Sequence, residues 1–205
     1  EVAKTGKPLI LSNGLSTLED LNLAVRTIKK TSNQKLIILK CTSTYPAKPF
    51  ELNLQTINDI KKKFKCLSGF SDHTLGYNIS VHSASLGADM LEKHVKIKNT
   101  KSVDDFFSID VDQFKKMIDI IRKNELSNGK INYNITKSSR KNLNGRRSLY
   151  VKQNIKKNQK FTLKNIGSIR PSFGLHPKYL PFFLNKYASR NIDFGTRLSW
   201  KHIKK

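Results

Sequence analysis

The sequence predicts an α/β protein in which a parallel sheet or barrel is followed by a small second module. In residues 1–124, apolar runs typical of buried strands alternate about four times with segments of helical periodicity, which favours parallel strands joined by helices. Each strand-like run ends in hydroxyl, imidazole or carboxylate side chains. The pattern then weakens into a stretch rich in Ser, Asn, Gly and Lys, which indicates a linker.

Each element is predicted from its local pattern. Residues 9–11 form a short apolar run that ends in Ser12-Asn13-Gly14, and a helix follows from about Thr17. Glu19 and Asp20 would lie in its first turn, where acidic side chains are favourable. The same criteria predict strands at residues 36–39, up to residue 73 and at 88–95, and helices at 53–64, 79–86 and 111–122. Residues 125–148 are the predicted linker, and residues 149–205 form a module of short strands and turns.

Composition narrows the class of protein. The formal charge is +24, but the lysines are spread over helix faces and loops, so we expect no nucleic-acid partner. No apolar run approaches the roughly 20 residues of a membrane span, and we expect no membrane partner. The two cysteines, Cys41 and Cys66, lie in apolar runs, which favours a reducing, cytoplasmic location over a disulfide framework.

Two histidines end neighbouring strands and indicate a site. Ser71 and His73 are two residues apart, as are Glu92 and His94, so each pair shares one face of an extended segment. The intervening helix makes the strands parallel neighbours. Two imidazoles at the carboxyl ends of such strands can bind one divalent metal ion. The preceding strands also end in polar side chains, namely Ser12, Ser43 and Tyr45.

Ordinary structural roles would also explain these residues. A single histidine at a strand end is more often a hydrogen-bonded structural residue, whereas two on adjacent strands favour a site. Serines are common in turns, and Tyr45 could be a rim aromatic. Glu92 could pair with Lys93, although its shared face with His94 favours the site.

The ordered motifs resemble the second half of the sialic acid synthase family. They are Ser12-Asn13-Gly14, Cys41-Thr42-Ser43-Thr44-Tyr45-Pro46, Ser71-Asp72-His73-Thr74-Leu75-Gly76 and Glu92-Lys93-His94. The resemblance implies that residues 1–124 are strands five to eight of a TIM (β/α)8 barrel and that residues 149–205 are an antifreeze-like, or SAF, domain. The segments 103–108, 170–177 and 194–196 look more like the pseudaminic acid synthase branch of that family than the N-acetylneuraminic branch.

The resemblance also implies a reaction. These enzymes condense phosphoenolpyruvate with the open-chain aldehyde of an amino sugar and release phosphate, forming a nine-carbon 2-keto acid. In the pseudaminic branch the sugar is 2,4-diacetamido-2,4,6-trideoxy-L-altrose. The alternatives are an N-acetylneuraminic or legionaminic acid synthase, a noncatalytic sugar-binding remnant and a basic nucleic-acid-binding protein.

By the same resemblance, His73 and His94 would bind a divalent metal (Mn²⁺, Mg²⁺ or Co²⁺). Glu92 and Asp104 would be catalytic acidic residues near the amino sugar and the metal. Asp104 could instead cap the following helix. The phosphoenolpyruvate-binding positions would be Ser12, Ser43, Tyr45 and Ser71, although the sialic branch carries Asn in place of Ser43. Arg170 would reach the barrel of the other subunit in a domain-swapped homodimer. Because the first half of the barrel is absent from these 205 residues, we expect this chain alone to be inactive.

Overall fold

The computed structural model describes residues 1–98 and 101–204. The chain divides into two compact units, residues 1–130 and residues 131–205. Each unit has hydrophobic clusters of its own, so each is described separately.

Four parallel strands form the sheet of the first unit. Their order in the sheet is their order in the chain: β1 (Leu9–Ser12), β2 (Leu36–Cys41), β3 (Leu67–Asp72) and β4 (Met90–Lys93). The connecting helices are α1 (Leu18–Lys29), α2 (Thr56–Phe64) and α3 (Asn78–Ser85). The predicted α/β class is therefore confirmed. Successive parallel strands in sequential order are the arrangement found along the wall of a (β/α)8 barrel, whereas a doubly wound sheet reverses its order.

The strand predicted at residues 88–95 is present as β4, but it is shorter than expected, and a second short strand follows it. Strand β4 ends at Lys93, and β5 (Val95–Lys96) pairs with a different partner, β6 (Ile109–Asp110). His94 lies at the break, and its carbonyl accepts a hydrogen bond from Ile109 N–H at 3.0 Å. The change of partner therefore bends the chain at His94.

Two helices also differ from the prediction at their ends. Helix α2 begins at Thr56 rather than near Asn53, because Asn53 has φ 47°, a left-handed conformation that does not continue a helix. Helix α4 (Val111–Asn128) begins with a capping box between Asp110 and Gln113. It ends at Asn128, six residues beyond the predicted end at Arg122 and within the stretch expected to be a linker.

The core of the first unit lies between the sheet and its helices. Strand β2 is central to it, with Ile38 and Leu39 both fully buried. Two adjacent residues of a strand point to opposite faces, so both faces of β2 are covered, as expected for a strand with helices on one side and packed side chains on the other. No helix of the described residues is long and apolar enough to cross a membrane.

The second unit is built from short strands and turns. Strands β7 (Ser148–Val151) and β8 (Ile166–Ile169) are antiparallel, and α5 (Leu180–Phe183) is a single turn of helix. A short 3-10 helix over Ser138–Gly145 precedes β7, within the stretch expected to be a linker. The unit has one apolar cluster, formed by Leu149, Val151, Ile155, Phe161, Ile166, Phe183, Ala188, Ile192 and Leu198.

Candidate active site

Strands β3 and β4 bring the two predicted histidines together. In their parallel register Ser71 lies beside Glu92 and Asp72 beside Lys93. The rings of His73 and His94, one residue further along, have centroids 5.2 Å apart. His73 is 7% exposed, whereas the side chain of His94 is 33% exposed. The pair thus lies at the carboxyl edge of the sheet, partly open to solvent.

Each histidine has one ring nitrogen close to an oxygen atom of the chain. His73 Nδ1 is 3.0 Å from the carbonyl oxygen of Thr42. His94 Nδ1 is 3.4 Å from a carboxylate oxygen of Asp104. A carbonyl oxygen accepts a hydrogen bond, so the contact with Thr42 favours a proton on Nδ1 of His73 and leaves the lone pair of its Nε2 available. The carboxylate of Asp104 lies close enough to Nδ1 of His94 to orient that ring in the same way. Metal-binding histidines are commonly oriented in this way.

Aromatic rings pack around the histidines. The ring centroid of Tyr45 lies 4.2 Å from that of His73 and 5.2 Å from that of Phe107. The centroids of Phe107 and His94 are 4.9 Å apart. Phe107 is 7% exposed, whereas Tyr45 is 52% exposed. Phe107 was not among the predicted site residues, because a lone apolar residue in a loop gives no signal of its neighbours.

Ser71 and Glu92 form a pair beside the histidines. Ser71 Oγ donates a hydrogen bond of 2.7 Å to Glu92 Oε1. Glu92 therefore contacts Ser71, and Lys93 has a different partner. The capping role considered for Asp104 belongs to Asp110, whose side chain accepts from Gln113 N–H.

The loop after β1 approaches the end of β2 closely at Gly14. A Cβ on Gly14 would lie 2.3 Å from Ser43 Oγ, so a larger residue at this position would require the Ser43 side chain to rotate away. Asn13 Oδ1 accepts a hydrogen bond from Cys41 N–H at 2.8 Å, which joins the loop after β1 to the end of β2. Ser12 is exposed, and no described residue hydrogen-bonds its hydroxyl. Its predicted role has no support from a contact within the chain.

A buried ion pair lies behind the histidines and was not predicted. Lys93 Nζ is 3.2 Å from Asp72 Oδ2, and the two side chains are 1% and 0% exposed. Lys93 also donates to the carbonyl of Thr74, and Asp72 accepts from Ser80 Oγ. Burial lowers the pKa of Lys93, and the charge of Asp72 opposes that shift. The pair joins β3 to β4 at the residues directly before His73 and His94.

Arg170 lies in the second unit, directly after β8. Its side chain is exposed, and the peptide bond between Arg170 and Pro171 is cis.

The two histidines fit part of a metal site. Among the described residues no group of three or more His, Cys, Asp or Glu side chains is arranged to hold a metal ion. Imidazole nitrogens from two neighbouring strand ends are nevertheless donors of the kind that Mn²⁺, Co²⁺ or a similar ion accepts. These residues would supply two ligands, and the remaining ones would be oxygen atoms from other groups.

A parallel sheet with polar side chains gathered at its carboxyl edge is the arrangement in which α/β proteins place their ligand sites. Comparison with known proteins makes the class specific. Residues 1–133 match the NeuB family and residues 146–204 match the SAF domain, and the chain belongs to the NeuB family.

Similar proteins agree with this assignment. The pseudaminic acid synthase of Campylobacter jejuni is 41% identical over 96% of this chain and 58% of its own length. The N,N'-diacetyllegionaminic acid synthase of the same species is 34% identical over 93% of this chain and 58% of its own length. The crystal structure of the spore coat polysaccharide biosynthesis protein SpsE from Bacillus subtilis superposes with a TM-score of 0.59 at 29% identity, covering 100% of this chain and 63% of that one. The chain thus spans about three fifths of the length of these relatives.

Proposed function

We propose that this chain is part of a pseudaminic acid synthase, which condenses phosphoenolpyruvate with 2,4-diacetamido-2,4,6-trideoxy-L-altrose. The observation that carries the proposal is the paired His73 and His94, 5.2 Å apart at the carboxyl edge of a sheet in a NeuB-family chain. The identity of 41% to a pseudaminic acid synthase, against 34% to a legionaminic acid synthase, favours this sugar. In the proposed architecture, residues 1–124 are strands five to eight of a TIM barrel.

The histidines are the proposed metal ligands. A divalent ion bound there would polarise the aldehyde oxygen of the sugar. His73 and His94 would each bind through Nε2, with Thr42 and Asp104 holding the rings in place. The ring of Tyr45 covers one side of His73 and limits the access of water.

The hydroxyl and carboxylate groups of the same edge are the proposed substrate contacts. Ser12, Ser43, Tyr45 and Ser71 would contact phosphoenolpyruvate. Glu92 accepts a hydrogen bond from Ser71, so its carboxylate is oriented by a residue of the neighbouring strand and can accept a proton from a sugar hydroxyl. In the reaction, C3 of phosphoenolpyruvate would bond to the aldehyde carbon, water would add at C2, and phosphate would leave by C–O cleavage.

The second unit is proposed to act between subunits. Arg170 is exposed at the end of β8, so its guanidinium is free to contact an acetamido oxygen of a sugar bound by another copy. A domain-swapped homodimer would place it there.

The test is a measurement of phosphate release by the product of the longest reading frame that contains this chain. With phosphoenolpyruvate, a divalent metal and the altrose derivative, we expect turnover. The amino sugars that lead to legionaminic and N-acetylneuraminic acid should give a much lower kcat/KM. Faster turnover of either of those sugars would assign the protein to another branch, and no phosphate release with any sugar would reject the proposal.

Variants test the roles of the site residues. His94→Ala should lower activity about 100-fold or more, while His82→Ala, an exposed histidine of α3, should leave it unchanged. Asp104→Asn should lower the affinity for the metal about 10- to 100-fold, because it weakens the contact that orients His94. Asp112→Asn is the matched control, since Asp112 is exposed and pairs with Lys98 instead.

A further inference from the structure

The second unit contains a basic cleft outside the site described above. Its volume is about 560 Å³, and the side chains of Arg190, Arg197, Lys201 and His202 are among those that line it. The lining contains no Asp or Glu. The cleft therefore gathers cationic donors without a carboxylate to neutralise them.

The surroundings also lack negative charge. Residues 131–205 contain 18 of the 39 Lys and Arg residues but only one of the 15 acidic residues, Asp193. Among the described residues, no ion pair involves Arg190, Arg197 or Lys201. Arg197 and Lys201 also make no side-chain hydrogen bond within the described chain. Two cations of the cleft are thus available to a ligand.

A buried histidine in this cleft faces hydrogen-bond donors on both sides. His202 is 2% exposed. Its Nδ1 is 3.1 Å from the backbone N–H of Ser199, and its Nε2 is 3.0 Å from Nη2 of Arg190. A backbone N–H and a guanidinium can only donate. A neutral imidazole carries one N–H, so whichever nitrogen is protonated, one donor faces another donor.

This conflict is resolved most easily at Arg190. The Ser199 N–H is held in place because it belongs to the capping box of the 3-10 helix Trp200–His202. Burial, together with the charges of Arg190 and Lys201, lowers the pKa of His202, which keeps the ring neutral. If Nδ1 accepts from Ser199, the proton lies on Nε2 and points towards Arg190. The Arg190 side chain is exposed and can turn away from the ring, and an anion in the cleft could then accept from both groups.

We propose that this cleft binds a phosphate group, held by Arg190, Arg197, Lys201 and the Nε2–H of His202. Guanidinium groups match the oxygen geometry of phosphate, and such charge-assisted hydrogen bonds are strong. The cleft is larger than one phosphate ion and includes apolar wall residues such as Phe173 and Leu198. It therefore fits a phosphate ester of a small molecule better than free phosphate.

Isothermal titration calorimetry of the chain in a phosphate-free buffer tests this proposal without reference to catalysis. The probes are inorganic phosphate and glucose 6-phosphate. We expect saturable binding of both, with the ester binding more tightly. Arg197→Gln should weaken both affinities about tenfold, since it removes one charge-assisted hydrogen bond. The side chain of Arg197 is exposed and makes no hydrogen bond or ion pair with the described residues, so the variant should fold.

Arg140→Gln is the matched control. It removes the same charge from the same unit, but Arg140 does not line the cleft. The affinity of Arg140→Gln for both probes should stay within about twofold of that of the unaltered chain, because diffuse charge contributes little at physiological ionic strength. An equal loss in Arg140→Gln and Arg197→Gln would show nonspecific attraction and overturn the proposal, as would the absence of saturable binding at millimolar probe. Tighter binding of inorganic phosphate than of the ester would overturn the assignment of an ester.

Discussion

At the scale of single residues, the Asp72–Lys93 pair connects the two strands that supply the histidines. Both charges are removed from water, yet Asp72 also accepts from Thr74 N–H and Ser80 Oγ, and Lys93 also donates to a carbonyl. A buried pair is not by itself a strong source of stability, but the loss of one partner leaves the other charge buried and uncompensated. The pair therefore restrains the spacing of His73 and His94.

Lys93→Met should destabilise the chain by about 3–5 kcal/mol, because Asp72 would lose its counter-ion. Denaturant unfolding followed by circular dichroism measures this change. Lys61→Met is the matched control, since the Lys61–Asp89 pair is partly exposed and such pairs contribute about 0–1 kcal/mol. Equal losses in the two variants would show that burial of the Asp72–Lys93 pair has no special importance.

His202 predicts a dependence of stability on pH. Its pKa in the folded chain lies below the ordinary value of 6.5. The unfolded chain therefore binds a proton that the folded chain does not, and stability falls as the pH decreases through about 6.5. The melting temperature of the second unit should decrease between about pH 7.5 and pH 5.5.

His202→Gln should flatten this part of the pH profile, whereas the exposed His82→Gln should leave it unchanged. A profile in which His202→Gln keeps the slope of the unaltered chain would contradict the assignment.

At the scale of the elements, a glycine sets how closely β3 and β4 approach. A Cβ on Gly69 would lie 2.3 Å from the carbonyl oxygen of Met90 and 2.6 Å from Cδ2 of Leu39. The first of these atoms belongs to the backbone of the neighbouring strand, so it cannot move without separating the strands. Gly69 is thus required because the neighbouring strands pack closely there, whereas its own backbone conformation is normal for a strand.

Gly69→Ala should destabilise the chain by about 1–3 kcal/mol or more, because the extra methyl group forces β3 away from β4. The same change should reduce activity of the full-length protein, since His73 and His94 follow these strands. Gly167→Ala in β8 is the control, because its Cβ would meet only the flexible end of Lys152. Stability of Gly69→Ala equal to that of Gly167→Ala would contradict this account.

The sequence was sufficient to predict the alternation of elements but not all their ends. Strand and helix periodicity correctly indicated β1 to β4 and the helices between them. The break at His94 was missed because it depends on a hydrogen bond to Ile109, a residue far along the chain. The start of α2 was missed because the conformation of Asn53 is a property of its turn.

The same distinction holds for the candidate site. The proximity of His73 and His94 follows from strand ends and register, which a sequence pattern conveys. Phe107 and the Asp72–Lys93 pair could not be predicted in this way. Their contacts depend on the path of a loop and on which face of a strand is buried, and these are fixed only when the chain is folded.

At the scale of the whole molecule, the charge is unevenly distributed. Residues 131–205 carry a formal charge of +17 of the total +24, from 18 Lys and Arg residues and one Asp. Like charges concentrated on a small unit repel one another and destabilise its compact state. Salt screens this repulsion, with a Debye length of about 10 Å at 0.1 M.

Raising the NaCl concentration from about 0.02 to 0.2 M should therefore raise the melting temperature of the second unit, measured by scanning calorimetry. Lys164→Glu combined with Lys186→Glu should reduce this increase, because both lysines are exposed and belong to the same unit. A salt response that is unchanged in the double variant would mean that the effect does not arise from this charge.

The single tryptophan of the chain lies in the second unit. Trp200 packs against the rings of Tyr179, Phe182 and Phe183, with centroids 4.9–5.6 Å away. The four long helices, α1 to α4, all belong to the first unit. Indole fluorescence will consequently follow the second unit, while the helical ellipticity near 222 nm follows the first. One denaturation experiment read with both signals would reveal whether the two units lose their structure together or in turn.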